Sequence, residues 1–382
     1  MATVKQNQPF TYALIGCGRV SIKHIKAVLK NPALQLIAIA DMLPNAHEKL
    51  FSDAGLSSST IKNLQKAVHF YTDYEELLEK EKPNITAITT PSGLHFQMAK
   101  NAILSGSHVL LEKPMTMISS EARELYALSQ RENKKIAMGH IYRYFPVVGL
   151  LQEDIQKGVF GKISHGAVTV RWGHDQAYYD QAAWRGSWKS DGGVFMNQTV
   201  HALDLMCWLM GNPAVSATSF IARRFHDMQA EDIGLGVLEL KDGSLCQIEG
   251  TTNTPQKRHE AAFQIFGSNG YASLGLRKGK PFFDIRDGNG KKQNLRYFSR
   301  QIKKTGWKTL PDFFNPHIGI YEDLVCAIQN DQAPIADALS GYASVDMILA
   351  LYQSAKEGRK IELPLSEDFS TVEMADFFEN KA

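Results

Sequence analysis

Five short apolar runs in the first 140 residues, each set off from the next by a turn or a helical pattern, limit the fold more than any other feature of this chain. Phe10–Ile15, Leu36–Ala40, Ile85–Thr89, Val109–Leu111 and Lys135–Met138 read as buried strands. Between them, helical patterns are predicted from Ile22 to Leu29, Glu75 to Glu79, Phe96 to Leu104 and Ser120 to Leu128. Strands that alternate with helices are joined by right-handed crossovers, which gives a parallel, doubly wound sheet. Such a sheet binds ligands at the carboxyl ends of its strands. The residues that end each run are therefore the first candidates for a site.

The first run ends in Gly16-Cys17-Gly18-Arg19-Val20-Ser21. Gly16 allows a tight turn, and Gly18 lets backbone N–H groups approach a pyrophosphate at the start of the next helix. Ser21 stands where a third Gly or Ala is usual, and is small enough for close helix–strand packing. The second run ends in Asp41, roughly 20 residues beyond the glycines, where a carboxylate accepts hydrogen bonds from an adenosine ribose. Its charge repels a 2′-phosphate, so the expected cofactor is NAD rather than NADP. A strand-end turn residue is the plainer reading of Asp41. The third run stops at Thr90-Pro91-Ser92, and His95 follows early in the next helix, either lining the cofactor cleft or packing the helix.

The fourth run ends in Glu112-Lys113-Pro114. Proline stops the strand and holds Lys113 extended. A lysine delivered to a cleft leaves bulk water, which lowers its pKa and suits it to proton transfer. Taken alone, the stretch reads equally as a surface lysine at a strand end.

Beyond residue 140 the pattern changes. Ile163–Trp172, Ser216–Ala222, Gly234–Leu240, Leu245–Glu249 and Ala261–Phe266 read as longer alternating strands, several separated by turns such as Lys241-Asp242-Gly243. This predicts a largely antiparallel open sheet in a C-terminal α+β domain, covered by helices on one face. Within it, Trp184-Arg185-Gly186 leads through Gly192-Gly193 to Asn197, Gln198 and His201, with a helix from Thr199 to Met210 closed by Gly211. Asn197 and His201 are one turn apart and could face one cleft; a buried Asn/His pair in a core helix is the alternative. Arg277–Lys308 is basic, with Phe282, Phe283, Tyr297, Phe298 and Trp307 interleaved, and reads as a solvated loop, with nucleic acid or an anionic sugar nucleotide as other partners.

A formal charge of +2 argues against nucleic acid or membrane attraction overall. No apolar run approaches the ~18 residues of a membrane span, and the polar MATVKQNQPF start lacks a signal core. Cys17, Cys207, Cys246 and Cys326 form no metal-type or disulfide spacing. A cytoplasmic protein with no metal is expected. The divisions read from sequence are 1–140 for the Rossmann domain, 141–365 for the substrate and oligomerisation domain, and 366–382 for an acidic tail.

These motifs, in this order and over nearly the whole chain, resemble the Gfo/Idh/MocA family of NAD(P)-dependent sugar and polyol oxidoreductases. The closing Pro334, Gly341, Ser354, Gly358 and Leu363-Pro364 belong to the same resemblance. It implies an N-terminal Rossmann domain, a C-terminal α/β domain, and homodimers or homotetramers built on the C-terminal sheet. Gly16, Gly18, Arg19, Val20, Asp41, Thr90, Pro91, His95, Glu112 and Lys113 would contact NAD, with a cis Lys113–Pro114 peptide. Lys113 would be the acid/base, aided by His201 and Asn197. Tyr142, Arg143, Trp184, Arg185, Asn197, Gln198 and His201 would hold substrate. Many members carry Asp at the position of Asn197; an amide there cannot take a proton, which shifts the burden to Lys113. The Asn-Gln-x-x-His arrangement is similar to the branch that oxidises C3 of UDP-N-acetylglucosaminuronic acid. The expectation is hydride transfer from a sugar, polyol or nucleotide-sugar secondary alcohol to NAD. An inositol or aldose dehydrogenase, an NAD-dependent glycosidase and a non-catalytic NAD-binding sensor stand as alternatives.

Overall fold

The computed structural model describes residues 8–306 and 315–379, which form two compact units. The first comprises the described residues up to Met115, Glu121–Tyr144, and the stretch from Asn315 to Gly341. Its strands are β1 (Phe10–Ile15), β2 (Leu34–Ala40), β3 (His69–Tyr71), β4 (Ile85–Ile88), β5 (His108–Leu111) and β6 (Ile136–Met138). They lie in the order β3-β2-β1-β4-β5-β6, and every neighbouring pair is parallel. The strand order reverses between β1 and β4, where a crevice opens at the carboxyl ends. Val109, Leu110 and Leu111 are wholly buried, as a central parallel strand requires.

Two stretches of this unit differ from the sequence reading. A helix that the sequence reading did not include runs over Ser58–Ala67, with the Ser57 hydroxyl accepting from Thr60 N–H at 3.2 Å. Residues from Asn315 to Gly341, grouped by sequence with the second domain, belong to the first unit. Ile320, Tyr321 and Leu324 of the helix His317–Gln329 are buried in one core with Tyr12, Leu14 and Ile25. Burial of that apolar face, not proximity in sequence, decides where the helix packs.

The second unit comprises Thr116–Ser120, the described residues from Phe145 to Gly306, and those from Tyr342 onward. Its strands are β7 (Ile163–Arg171), β8 (Ala214–Ala222), β9 (Ile233–Leu240), β10 (Leu245–Thr251), β11 (Glu260–Gly267), β12 (Gly270–Arg277), β13 (Lys280–Asp287) and β14 (Ile361–Glu362). The order is β13-β12-β11-β7-β10-β9-β8-β14, and only β7–β10 is parallel. One face buries Val168, Leu238, Ile248 and Ile265; the other exposes Phe220, Leu235, Val237 and Leu245 across β8, β9 and β10.

The basic segment is not a loop. It contains β13 and the helix Asn294–Thr305, while Trp307 and Lys308 lie outside the described residues. An edge strand with one neighbour tolerates Lys280 and Arg286. The helix is tied down by Tyr297 and Arg300, which donate to Asp154 at 2.7 and 3.0 Å. Arg277, Arg286 and Lys304 pair with Glu260, Asp284 and Glu153. Much of the positive charge is thus matched within the unit. The acidic C-terminal stretch is likewise ordered as far as it is described. Phe369, Thr371 and Met374 are buried, Ser370 and Glu373 form a capping box, and Phe378 stacks on Trp188 at 6.4 Å. Among the described residues, no helix is long and apolar enough to cross a membrane.

Candidate active site

In the first unit, β1 delivers Gly16 at φ +96°, and a Cβ there would lie 3.0 Å from the Thr89 carbonyl. A Cβ on Gly18 would meet nothing closer than Thr89 O at 3.7 Å, and Gly18 lines a cleft of about 390 Å³. Gly16, Asp41, Thr90 and Pro91 line the same cleft, together with Leu94 and Met98. Asp41 is fixed there by Cys17 N–H at 2.7 Å and Leu43 N–H at 2.9 Å. No side chain caps the helix Ser21–Val28, and its first turn holds no acid. A glycine-lined cleft, an anchored carboxylate and an uncapped helix start fit a dinucleotide.

Other expected cofactor contacts are placed differently. Arg19 and Val20 lie outside the lining of this cleft, and Arg19 is exposed. His95 is buried, with Nδ1 2.7 Å from Pro114 O and Nε2 3.0 Å from Thr90 O. Burial holds its pKa below the ordinary value. A neutral ring donates to one of those carbonyls, Pro114 O being the nearer, and so links the loops that carry Thr90 and Lys113.

Glu112 is turned inward. Its Oε1 accepts from His24 Nε2 at 2.9 Å and faces His317 Nε2 at 3.4 Å; its Oε2 accepts the Lys113 N–H at 3.3 Å. Burial alone would raise this carboxyl's pKa, but the bonds from His24 and His317 outweigh it and hold Glu112 well below the usual carboxylate range. Burial lowers the pKa of His24, so its neutral ring accepts from Tyr321 Oη at 2.8 Å and donates to Glu112. On the far side, Asn315 Nδ2 donates to Lys23 O at 3.1 Å, which turns its Oδ1 to His317 Nδ1 at 3.2 Å. His317 thus bridges Asn315 and Glu112 through its two ring nitrogens. The three ligand-type atoms lie within 4.8 Å of one another, and hydrogen bonds already engage each of them. A Cβ on Gly139 would come within 2.8 Å of this carboxylate. The result is a Lys113 whose backbone is anchored from the interior. The Lys113–Pro114 peptide is cis, as the resemblance implied.

Tyr142 and Arg143, also in the first unit, lie on a 3-10 turn, Ile141–Tyr144. Both are largely buried; burial pushes Tyr142 up to about 12, and Arg143 Nη1 donates to Ile335 O at 2.6 Å.

In the second unit, a π-helical turn over Phe195–Thr199 carries Asn197 and Gln198, and the helix Val200–Met210 continues it through His201. All three polar side chains are half-buried. Asn197 Nδ2 donates to Asp191 Oδ1 at 2.6 Å, and Gly186 N–H donates to Asp191 Oδ2 at 2.8 Å. The sequence reading missed Asp191; its signal is an acid directly before Gly192-Gly193. Beneath the turn, Glu231 Oε1 accepts from Phe195 N–H and Tyr352 Oη, each at 2.9 Å. Burial pushes the Glu231 carboxyl up to about 8. Gly193 is required here, since a Cβ would fall 1.9 Å from Glu231 Oε2. Half-buried Trp184 and Tyr178 flank Arg185, whose guanidinium carbon lies 4.8 and 4.2 Å from their ring centres.

The fold and this cleft define an NAD-binding oxidoreductase. Residues 10–140 match the NAD-binding Rossmann fold of the oxidoreductase family, and residues 152–363 match its C-terminal alpha/beta domain. The chain belongs to the Gfo/Idh/MocA family. The WlbA dehydrogenase of Bordetella pertussis, solved with NADH and UDP-GlcNAcA, superposes with a TM-score of 0.81 at 27% identity, covering 94% of this chain and 99% of that one. D-glucoside 3-dehydrogenase of Escherichia coli is 24% identical, over 95% of this chain and 100% of its own length. Inositol 2-dehydrogenase of Rhizobium meliloti is 22% identical, over 92% and 98%.

Proposed function

We propose that the protein oxidises a secondary alcohol of a sugar to a ketone with NAD, and that the substrate is UDP-N-acetylglucosaminuronic acid oxidised at C3. The observation that carries the reaction class is Lys113, set at the carboxyl end of β5 in the unit with the dinucleotide cleft and anchored through its N–H to buried Glu112. Gly16, Gly18, Asp41, Thr90 and Pro91 would hold NAD, which when bound supplies the hydride acceptor. The Lys113 amine takes the hydroxyl proton and passes it to solvent, while His201 and Asn197 orient the carbinol by hydrogen bonds.

The anionic nucleotide sugar is favoured by the WlbA complex, at 27% identity, and by Arg185. Its Nε is buried and has no hydrogen-bond partner among the described residues, so the guanidinium suits an acidic group of the substrate. The same reading has copies of the chain meeting on the apolar face of β8–β10; a monomer by sedimentation at micromolar concentration would remove that part.

NADH formation with UDP-N-acetylglucosaminuronic acid, myo-inositol and free sugars tests the substrate. Saturable NADH formation with the nucleotide sugar and little with the others supports the reading. Formation only with a polyol or free sugar would keep the reaction class and discard the substrate. Sugar release without accumulated NADH would replace both with glycoside cleavage.

A further inference from the structure

We infer that Glu231 is a positioning residue: together with Tyr352 it caps, from elsewhere in the chain, the helix start that carries Asn197, Gln198 and His201. This deepens the reading above and rests on its giving Asn197 and His201 the carbinol.

A helix begins with about four N–H groups that have no partner within it, and a neighbouring side chain usually accepts from one of them. Here the chain enters the helix through Gly192 and Gly193, which have no side chain to offer, and Val194 has none that accepts a hydrogen bond. Two distant residues take over. Val194 N–H donates to Glu231 O at 3.1 Å, and Phe195 N–H to Glu231 Oε1 at 2.9 Å. Gly193 and Met196 N–H donate to Tyr352 Oη at 3.2 and 3.3 Å, and that hydroxyl donates to Glu231 Oε1 at 2.9 Å. A hydroxyl has one hydrogen to give and two lone pairs to accept with, so Tyr352 is fully used. The N–H groups from Gly193 to Met196 are thus satisfied by residues at least 36 positions away.

The sheet supplies the ground on which the turn rests. Gly234 of β9 and Gly250 of β10 stand directly opposite one another. A Cβ on Gly234 would come 2.4 Å from the Phe195 ring, and one on Gly250 2.4 Å from Thr199 Oγ1. The π-helical turn therefore lies against bare backbone, and the cap decides how its first residues stand there. Single π-helical turns are rare overall and recur at functional sites.

Glu231 caps as the neutral acid. Both bonds to its side chain fall on Oε1, while Oε2 is buried with no hydrogen-bond partner among the described residues. A proton on Oε2 breaks neither bond, whereas an ionised carboxylate would leave a charged oxygen dry. Two titratable groups face it: Tyr352, which donates, and Asp232, the next residue, whose charge adds to burial in pushing the carboxyl up to about 8. Oε2 packs against Gly193, where a Cβ would fall 1.9 Å from it. Water can reach the ionised group only if the turn moves.

The test uses the full-length protein with NAD and the nucleotide sugar. Glu231→Ala removes the side-chain acceptor, and kcat should fall by ~100-fold while NAD affinity, read by fluorescence, stays as in wild type. Glu231→Gln keeps an acceptor and cannot ionise, so kcat at pH 7 should recover to within ~10-fold of wild type. Wild-type kcat should fall above about pH 8 relative to this variant. Gln losing as much as Ala, or parallel pH profiles in Gln and wild type, would overturn the inference. If Glu231→Ala does not fold, Tyr352→Phe takes its place, since it lacks the hydroxyl that accepts from Gly193 and Met196. An undiminished kcat there would equally overturn it.

Amide hydrogen exchange gives a readout free of turnover. At pH 7 the Phe195 N–H should be protected in wild type and Glu231→Gln, and exchange at least ~10-fold faster in Glu231→Ala. Unchanged exchange refutes the cap. Faster exchange, in a protein whose wild type oxidises no sugar, supports the cap and refutes the proposed reaction alone.

Discussion

The two units hold their candidate residues in different ways. In the first, the chain itself places Gly16 and Asp41 directly after the carboxyl end of a parallel strand, where the ladder fixes the ends; Lys113 follows β5 in the same way, with buried Glu112 as an added anchor. In the second, side chains place one another. Asn197 is set by Asp191, and the turn beneath it by Glu231 and Tyr352, which come from elsewhere in the sequence. Strand ends tolerate change in their surroundings. A turn held by a few buried polar bonds does not, because each lost partner leaves an unsatisfied group in a dry environment.

Glu231 offers the sharpest way to test that contrast. Its carboxyl is protonated in the fold up to about pH 8, against an ordinary value of 4.5. Folding therefore raises its pKa, so its contribution to stability is fully present below about pH 4.5 and is lost as the pH climbs through about 8. Over that window the wild type should lose up to about 1.4 kcal/mol per pH unit from this group. Glu231→Gln should flatten the dependence and gain stability relative to wild type at pH 9, measured by urea unfolding. The same slope in both proteins would mean that the carboxyl is already ionised beneath the turn.

The corresponding change in the first unit should be milder. Asp41→Ala removes the carboxylate and the partner of Cys17 N–H, but the strand end stays where the ladder puts it. NAD affinity should fall by ~10-fold, about the worth of a charge-assisted hydrogen bond, with NADP affected less. An unchanged NAD to NADP preference would undo the ribose assignment. A collapse of folding comparable with loss of the Glu231 network would erase the contrast between the units.

What could be read from the sequence follows the same division. β1, the glycine turn, Asp41 and the Glu112-Lys113-Pro114 strand end are local patterns, legible because period and turn chemistry act over a few residues. The anchoring of Glu112 was not legible. His24 and His317 reach it across 88 residues or more, Tyr321 in turn bonds His24, and a lone buried histidine gives no sign of its partner. Asp191 was missed for a subtler reason: the π-helical turn, which ordinary helical periodicity does not anticipate, carries Asn197 back onto it. β13 was hidden because an edge strand with charged residues looks like a solvated loop until its pairing with β12 is known.

In the proposed reaction Lys113 takes the hydroxyl proton, so its removal in a single-turnover experiment is the most direct test of the whole account. The protein, stripped of nucleotide and reloaded with NAD, is mixed with UDP-N-acetylglucosaminuronic acid and NADH fluorescence is followed. Wild type should give a burst, and Lys113→Met should slow it by at least ~100-fold while binding NAD as tightly as wild type. A burst of undiminished rate in Lys113→Met would remove Lys113 from proton transfer and contradict the account at its centre.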